Sequence, residues 1–99
     1  MRVYSALKAF RFPERLQALA EGRLAAPLHV RIKPVNACNH NCWYCAYRVE
    51  NLGLGSDMDE RDRLSREKLL EIAADLVELG VQSATFSGGG EPLLHPALP

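Results

Sequence analysis

A chain of 99 residues, 47% hydrophobic and 24% charged, has the composition of a globular protein, with no low-complexity tract and no repeat. Its 12 basic and 12 acidic side chains cancel, which removes any bulk attraction to nucleic acid or to an anionic membrane. No apolar run nears the roughly 18 residues that cross a bilayer, and the opening MRVYSALKAFRF scatters its charges and lacks the apolar core of a secretory signal. The expected compartment is therefore the cytoplasm. Three cysteines in one cluster fit a reducing compartment better than a disulfide framework.

Taken in chain order, Val3 to Phe10 predict a short helix. Pro13 suits the first position of a second one, with Leu16, Leu19 and Ala20 as its apolar stripe and Gly22 as its stop. Arg23 to Pro27 read as a linker. Leu28 to Lys33 alternate strictly, with Leu28, Val30 and Ile32 on one face and His29, Arg31 and Lys33 on the other. This period of two is a strand, ended by Pro34. The polar face fits either an exposed edge or a barrel interior that meets a polar ligand.

A cysteine-bearing loop occupies Asn36 to Arg48. A polar stretch, Val49 to Leu64, follows. Its run Asp57 to Arg63 (DMDERDR) superficially resembles a calcium loop, but it lacks the glycine at the sixth position and the glutamate at the twelfth; it reads as a solvated connector. Ser65 is a good N-cap, with Glu67 in the favourable first turn. Leu69, Ile72, Ala73, Leu76 and Val77 recur at helical spacing and predict a core stripe, closed by Gly80 at the C′ position. Val81 to Ser87 form a second strand, and GGGEP follows it. The last segment, GGGEPLLHPALP, reads as a loop, and the chain is expected to be the N-terminal portion of a longer protein.

Strand, helix, strand predicts an α/β unit in which two parallel strands are joined by a right-handed crossover. Chemistry in such folds gathers at the carboxyl ends of the strands. Both unusual loops, CNHNCWYC and SGGGEP, leave such ends.

Cys38, Cys42 and Cys45 are spaced C-x3-C-x2-C, and three thiolates in so short a loop are expected to converge on one point. Three is one short of the four ligands of a closed zinc site or of an ordinary iron–sulfur cluster, so one metal position stays open for chemistry. The plainer readings are a zinc site completed by His40 or His95, or an electron-carrying cluster with its fourth cysteine elsewhere. Zinc sites usually pair two short knuckles, and no second knuckle is present. GGGEP alone is more often a turn than a site. His95, before Pro96, reads as a capping or packing residue.

The two loops together resemble the start of a radical S-adenosylmethionine (radical SAM) enzyme, whose signature is C-x3-C-x-aromatic-C with a Gly-Gly-Glu loop after the next strand. The residues that carry the likeness are Cys38, Cys42, Tyr44 and Cys45, with Gly89, Gly90 and Glu91, and it spans roughly Leu28 to Pro96. The resemblance implies that Cys38, Cys42 and Cys45 hold a [4Fe–4S] cluster whose fourth iron binds SAM. It implies that Gly89, Gly90 and Glu91 contact the methionine amino group and that Tyr44 lies against the adenine. An electron from a donor such as flavodoxin or ferredoxin then cleaves SAM to methionine and a 5′-deoxyadenosyl radical that abstracts hydrogen from substrate.

The implied fold is a partial (β/α)6 TIM-like barrel, of which residues 28–99 would be the first part and residues 1–27 a helical extension. At about 30 residues per βα repeat, a full core needs roughly 180 residues. The piece alone is therefore expected to be inactive, with apolar faces uncovered. VNACNHNCWYCAY and FSGGGEPLLHP are similar to members that modify peptides or proteins; other members act on small metabolites, cofactor precursors or RNA. The alternative class is a small zinc or iron–sulfur module without catalysis, which metal and sulfide analysis distinguishes.

Overall fold

The computed structural model describes residues 5–49 and 53–99. The helix expected at Val3 to Phe10 is a 3-10 helix at Ala6–Arg11, capped by Ser5, whose hydroxyl accepts the Leu7 N–H; residues 3 and 4 lie outside the described set. Helix α1, Pro13–Ala20, begins on its proline, where the missing N–H costs nothing. It stops ahead of Gly22, whose φ of +69° a side chain would resist. Ala18 rather than Leu19 is its buried residue. The stripe expected on this helix is thus displaced, because Leu16 is only half-buried and Leu19 points to solvent.

Strand β1, His29–Ile32, and strand β2, Ser83–Phe86, form a two-stranded parallel sheet in the register His29 with Ser83 to Ile32 with Phe86. Both strands are shorter than the expected Leu28 to Lys33 and Val81 to Ser87. Between them lies helix α2, Arg66–Glu78, whose first turn is closed by Ser65 Oγ accepting the Lys68 N–H at 3.1 Å. Gly80, φ +78°, follows it as expected. Arg15 fastens α1 to the rest, donating to the carbonyls of Ala26 and Gly80.

The segment read as a solvated connector is in fact a brace. Val35 pairs with Arg63 in an antiparallel bridge. Asn36 N–H donates to Asp62 O at 3.1 Å and Leu64 N–H to Pro34 O at 2.9 Å, while the Asn36 side chain donates to Asp59 O at 2.9 Å. Residues 59–64 therefore act as a short third strip beside the chain leaving β1. Composition hid this because Asp59 to Arg63 are polar, whereas the bonds that hold them are main-chain. Arg61 pulls the Asp59 carboxyl below the ordinary carboxylate range, through its guanidinium first and its backbone N–H second.

The core is small. Ala18, Ile32, Val35 and Leu69 are its buried apolar residues among those described, joined by Pro34. Of the stripe predicted on α2, Leu69 is buried and Ile72 and Leu76 are half-buried, but Val77 is 78% exposed. Every residue of β2 is exposed. The accessible surface is 8120 Å², against about 5,600 Å² for a compact monomer of this size. The radius of gyration is 16.9 Å, against about 13 Å for a compact domain of this length.

Replacing Ser65 by Ala is expected to destabilise α2 by about 1 kcal/mol, and Asp at 65 to retain the cap; denaturant titration followed by circular dichroism checks this. The Asp59 contribution is present above the ordinary carboxylate pKa and lost as pH falls through the depressed folded value. A carboxylate NMR titration should place the Asp59 midpoint below that of a free aspartate, and Arg61→Ala should move it only part of the way back, because the backbone N–H at 61 remains.

Candidate metal centre

The chain leaves β1 at Ile32, turns through buried Pro34 and Val35, and enters the cysteine loop at Ala37. It leaves β2 at Phe86, with Ser87 N–H still donating to Ile32 O at 2.9 Å, and enters the glycine loop. The two loops meet again where Glu91 N–H donates to Ala37 O at 2.9 Å. Glycine is required at this seat. A Cβ on Gly90 would stand 2.0 Å from Ala37 O, and one on Gly89 would stand 2.6 Å from Met58 Sδ and 3.2 Å from Asn36 Oδ1. The first obstacle is backbone and cannot yield.

Within the cysteine loop, main-chain bonds set the path. Cys45 N–H donates to Cys42 O at 3.1 Å, and Arg48 N–H to Cys45 O at 3.0 Å. The Arg48 guanidinium reaches back across the loop, donating to His40 O at 2.7 Å and to Cys38 O at 3.3 Å. His40 N–H donates to Cys38 Sγ at 3.4 Å, the kind of contact that tunes a sulfur ligand. Arg48 carries no motif and was missed from sequence; its position just after the third cysteine was the only signal.

All three thiols are free, Cys42 exposed and Cys38 and Cys45 half-buried. They share one loop, but among the described residues no three His, Cys, Asp or Glu side chains converge on a metal-binding point. The expected convergence is thus one of sequence neighbourhood rather than of sulfur positions. Neutral thiols are weak hydrogen-bonders with little to draw them together, and a shared metal is what normally does so. The donor set itself fits a [4Fe–4S] cluster: three uncrosslinked soft ligands on an accessible loop, with no second knuckle beside it.

Tyr44 is 69% exposed and stands edge-on to Trp43, ring centroids 5.4 Å apart. Gly89 is buried and Gly90 half-buried. Glu91 caps the 3-10 helix Pro92–Leu94, its Oε1 accepting the Leu93 N–H at 3.1 Å, while its Oε2 lies 3.4 Å from His40 Nε2. A shallow cleft runs beside it, lined by Phe86, Gly88, Glu91 and Leu98 among others.

His95 does not join the cysteines. It is 2% exposed, its Nε2 2.6 Å from Leu64 O and its Nδ1 accepting the Ala97 N–H at 3.1 Å. Both ring nitrogens are engaged within the fold, which agrees with its reading as a capping or packing residue and not with the alternative of a zinc ligand. His29, Arg31 and Lys33 are exposed, His29 bonding Ser83 Oγ and Lys33 lying over the Tyr47 ring and donating to its hydroxyl.

Because the obstacle at Gly90 is a carbonyl, Gly90→Ala is expected to unseat the glycine loop. The Glu91 amide should lose its hydrogen-exchange protection, and stability should fall by about 1 kcal/mol or more. Retained protection at Glu91 would contradict the packing described.

A family model described as the Radical SAM superfamily matches residues 32–99. Among curated proteins, the chain is 35% identical over 71 residues to a probable GTP 3',8-cyclase of Archaeoglobus fulgidus, covering 72% of this chain and 21% of that one. It is 35% identical over 71 residues to a GTP 3',8-cyclase of Chlorobaculum tepidum, 72% of this chain and 19% of that one. It is 33% identical over 69 residues to a GTP 3',8-cyclase of Microcystis aeruginosa, 69% and 20% respectively. The chain thus spans about a fifth of the length of these relatives. No solved structure matches it significantly. No helix among the described residues is long and apolar enough to cross a membrane. With the family match covering the cysteine loop, α2, β2 and the glycine loop, the chain belongs to the radical SAM superfamily, a family of enzymes that use a [4Fe–4S] cluster and S-adenosylmethionine.

Proposed function

We propose that this chain carries the cluster-binding and SAM-binding segment of a radical SAM enzyme, with Cys38, Cys42 and Cys45 as the cluster ligands. The observation that carries the reading is the seating of the glycine loop on the start of the cysteine loop, Glu91 N–H on Ala37 O, at the carboxyl ends of two parallel strands. When bound, the cluster supplies one electron that cleaves SAM reductively to a radical able to take hydrogen from substrate.

The chain's own residues do the rest. Gly89 and Gly90 bring bare backbone toward the methionine end of SAM. Glu91 offers its amino group a carboxylate acceptor, and Tyr44 offers the adenine an exposed aromatic face. Cys38, Cys42 and Cys45 would hold the cluster, and their thiols would turn toward it from a backbone that is already bonded. The exposed faces of β1 and β2 fit the start of a (β/α)6 barrel, in which neighbouring strands and helices cover both sides of a parallel sheet. Of the substrate classes the sequence raises, peptides or proteins, small metabolites, cofactor precursors and RNA, the relatives named GTP 3',8-cyclase favour a small molecule, with a purine nucleotide as the candidate.

Anaerobic reconstitution of the full-length protein is expected to give roughly four irons and four sulfides for this site, with an electron paramagnetic resonance signal that changes when SAM is added. Cys38→Ala, Cys42→Ala and Cys45→Ala should each abolish SAM cleavage. Stoichiometric zinc without sulfide, or a cysteine variant that still cleaves SAM, would overturn the reading.

A further inference from the structure

His40 sits between two of the proposed ligands and makes three separate connections. Its backbone N–H donates to Cys38 Sγ at 3.4 Å, its carbonyl accepts from Arg48 at 2.7 Å, and its ring Nε2 faces Glu91 Oε2 at 3.4 Å. The backbone contacts fix where the residue stands, independently of its side chain. The ring then spans from the cysteine loop to the glycine loop. Glu91 is held on its other side, since Oε1 accepts the Leu93 N–H. Its carboxylate thus has a hydrogen bond from its own loop at one oxygen and the imidazole of the cysteine loop within 3.4 Å of the other. Among the described side chains, no other contact recorded between polar groups joins these two loops.

We infer that His40 is a positioning residue for SAM, its imidazole holding the Glu91 carboxylate in the orientation that receives the methionine amino group. The inference rests on the reading above and deepens it: Glu91 would contact the ligand, and His40 would act through Glu91. Arg48 supports the arrangement by fixing the backbone from which the ring projects. An exposed pair of this kind shifts an equilibrium by a few-fold rather than by orders of magnitude.

The test compares wild type with His40→Ala and His40→Gln. In reconstituted protein, His40→Ala is expected to retain full iron and sulfide, because its backbone contacts remain, but to bind SAM about three- to fivefold more weakly. His40→Gln, whose amide can still reach Glu91, should recover most of that loss. In iron-free protein, His40→Ala should speed exchange of the Leu93 amide, which depends on a fixed Glu91. Unchanged SAM affinity and unchanged Leu93 exchange would overturn the inference, as would loss of iron in step with affinity, which would make His40 part of the cluster's own support. If wild type itself bound no cluster, the functional reading would fall, while the Leu93 exchange would still decide whether His40 holds Glu91.

Discussion

The arrangement depends on one close approach, the seat of Gly90 on the carbonyl of Ala37. The last ladder pair is Ile32 with Phe86. Five residues further along each chain, Ala37 and Glu91 are bonded again. The two exits are equal in length, so the parallel register of the sheet carries through into the loops. Any residue with a Cβ at 90 would break that correspondence at a backbone atom. Most of what places the cysteine motif beside the Gly-Gly-Glu motif follows from register and from one absent side chain.

The sheet beneath is too small to account for this order alone. Two four-residue parallel strands, one of them exposed along its whole length, bury little apolar area, and parallel pairing is weaker per residue than antiparallel. The remaining support is polar and local. The 59–64 strip braces Pro34 and Asn36, His95 ties the residues after Glu91 to Leu64, and Arg15 ties α1 to Gly80. The first two sets of bonds lie at the carboxyl ends of the strands, beside the proposed site, whereas Arg15 braces their amino ends.

The sequence was most legible where chemistry or backbone geometry forces a residue type. Pro13 at a helix start, Ser65 at a cap, Gly22 and Gly80 after helices and the strand around Val30 all stand as read. Burial was less legible. Val77 and Leu19 have the right spacing for a core, but periodicity says which face is apolar and not whether anything lies against it. Least legible were the main-chain partnerships. Nothing in DMDERDR announces that Asp59 and Asp62 lend their carbonyls to Asn36, because every residue carries the same carbonyl. Arg48 was passed over, and His40 was weighed as a zinc ligand without its link to Glu91, for a related reason. Their roles come from where the loop folds back, which no spacing rule encodes.

At the proposed cluster site, the groundwork for a metal is divided between backbone and side chains. The backbone of the cysteine loop is already shaped: the Cys42–Cys45 turn is closed, and Arg48 bonds the carbonyls of Cys38 and His40. Its sulfurs are not gathered. Ordering backbone costs roughly 1–2 kcal/mol per residue, whereas turning a short side chain costs less. A loop that has met the larger cost in folding leaves only thiol rotation and deprotonation to accompany the proposed cluster binding. The same division explains why a positively charged guanidinium sits among carbonyls rather than among the sulfurs. It fixes the frame without occupying the positions that the proposed thiolate ligands would need.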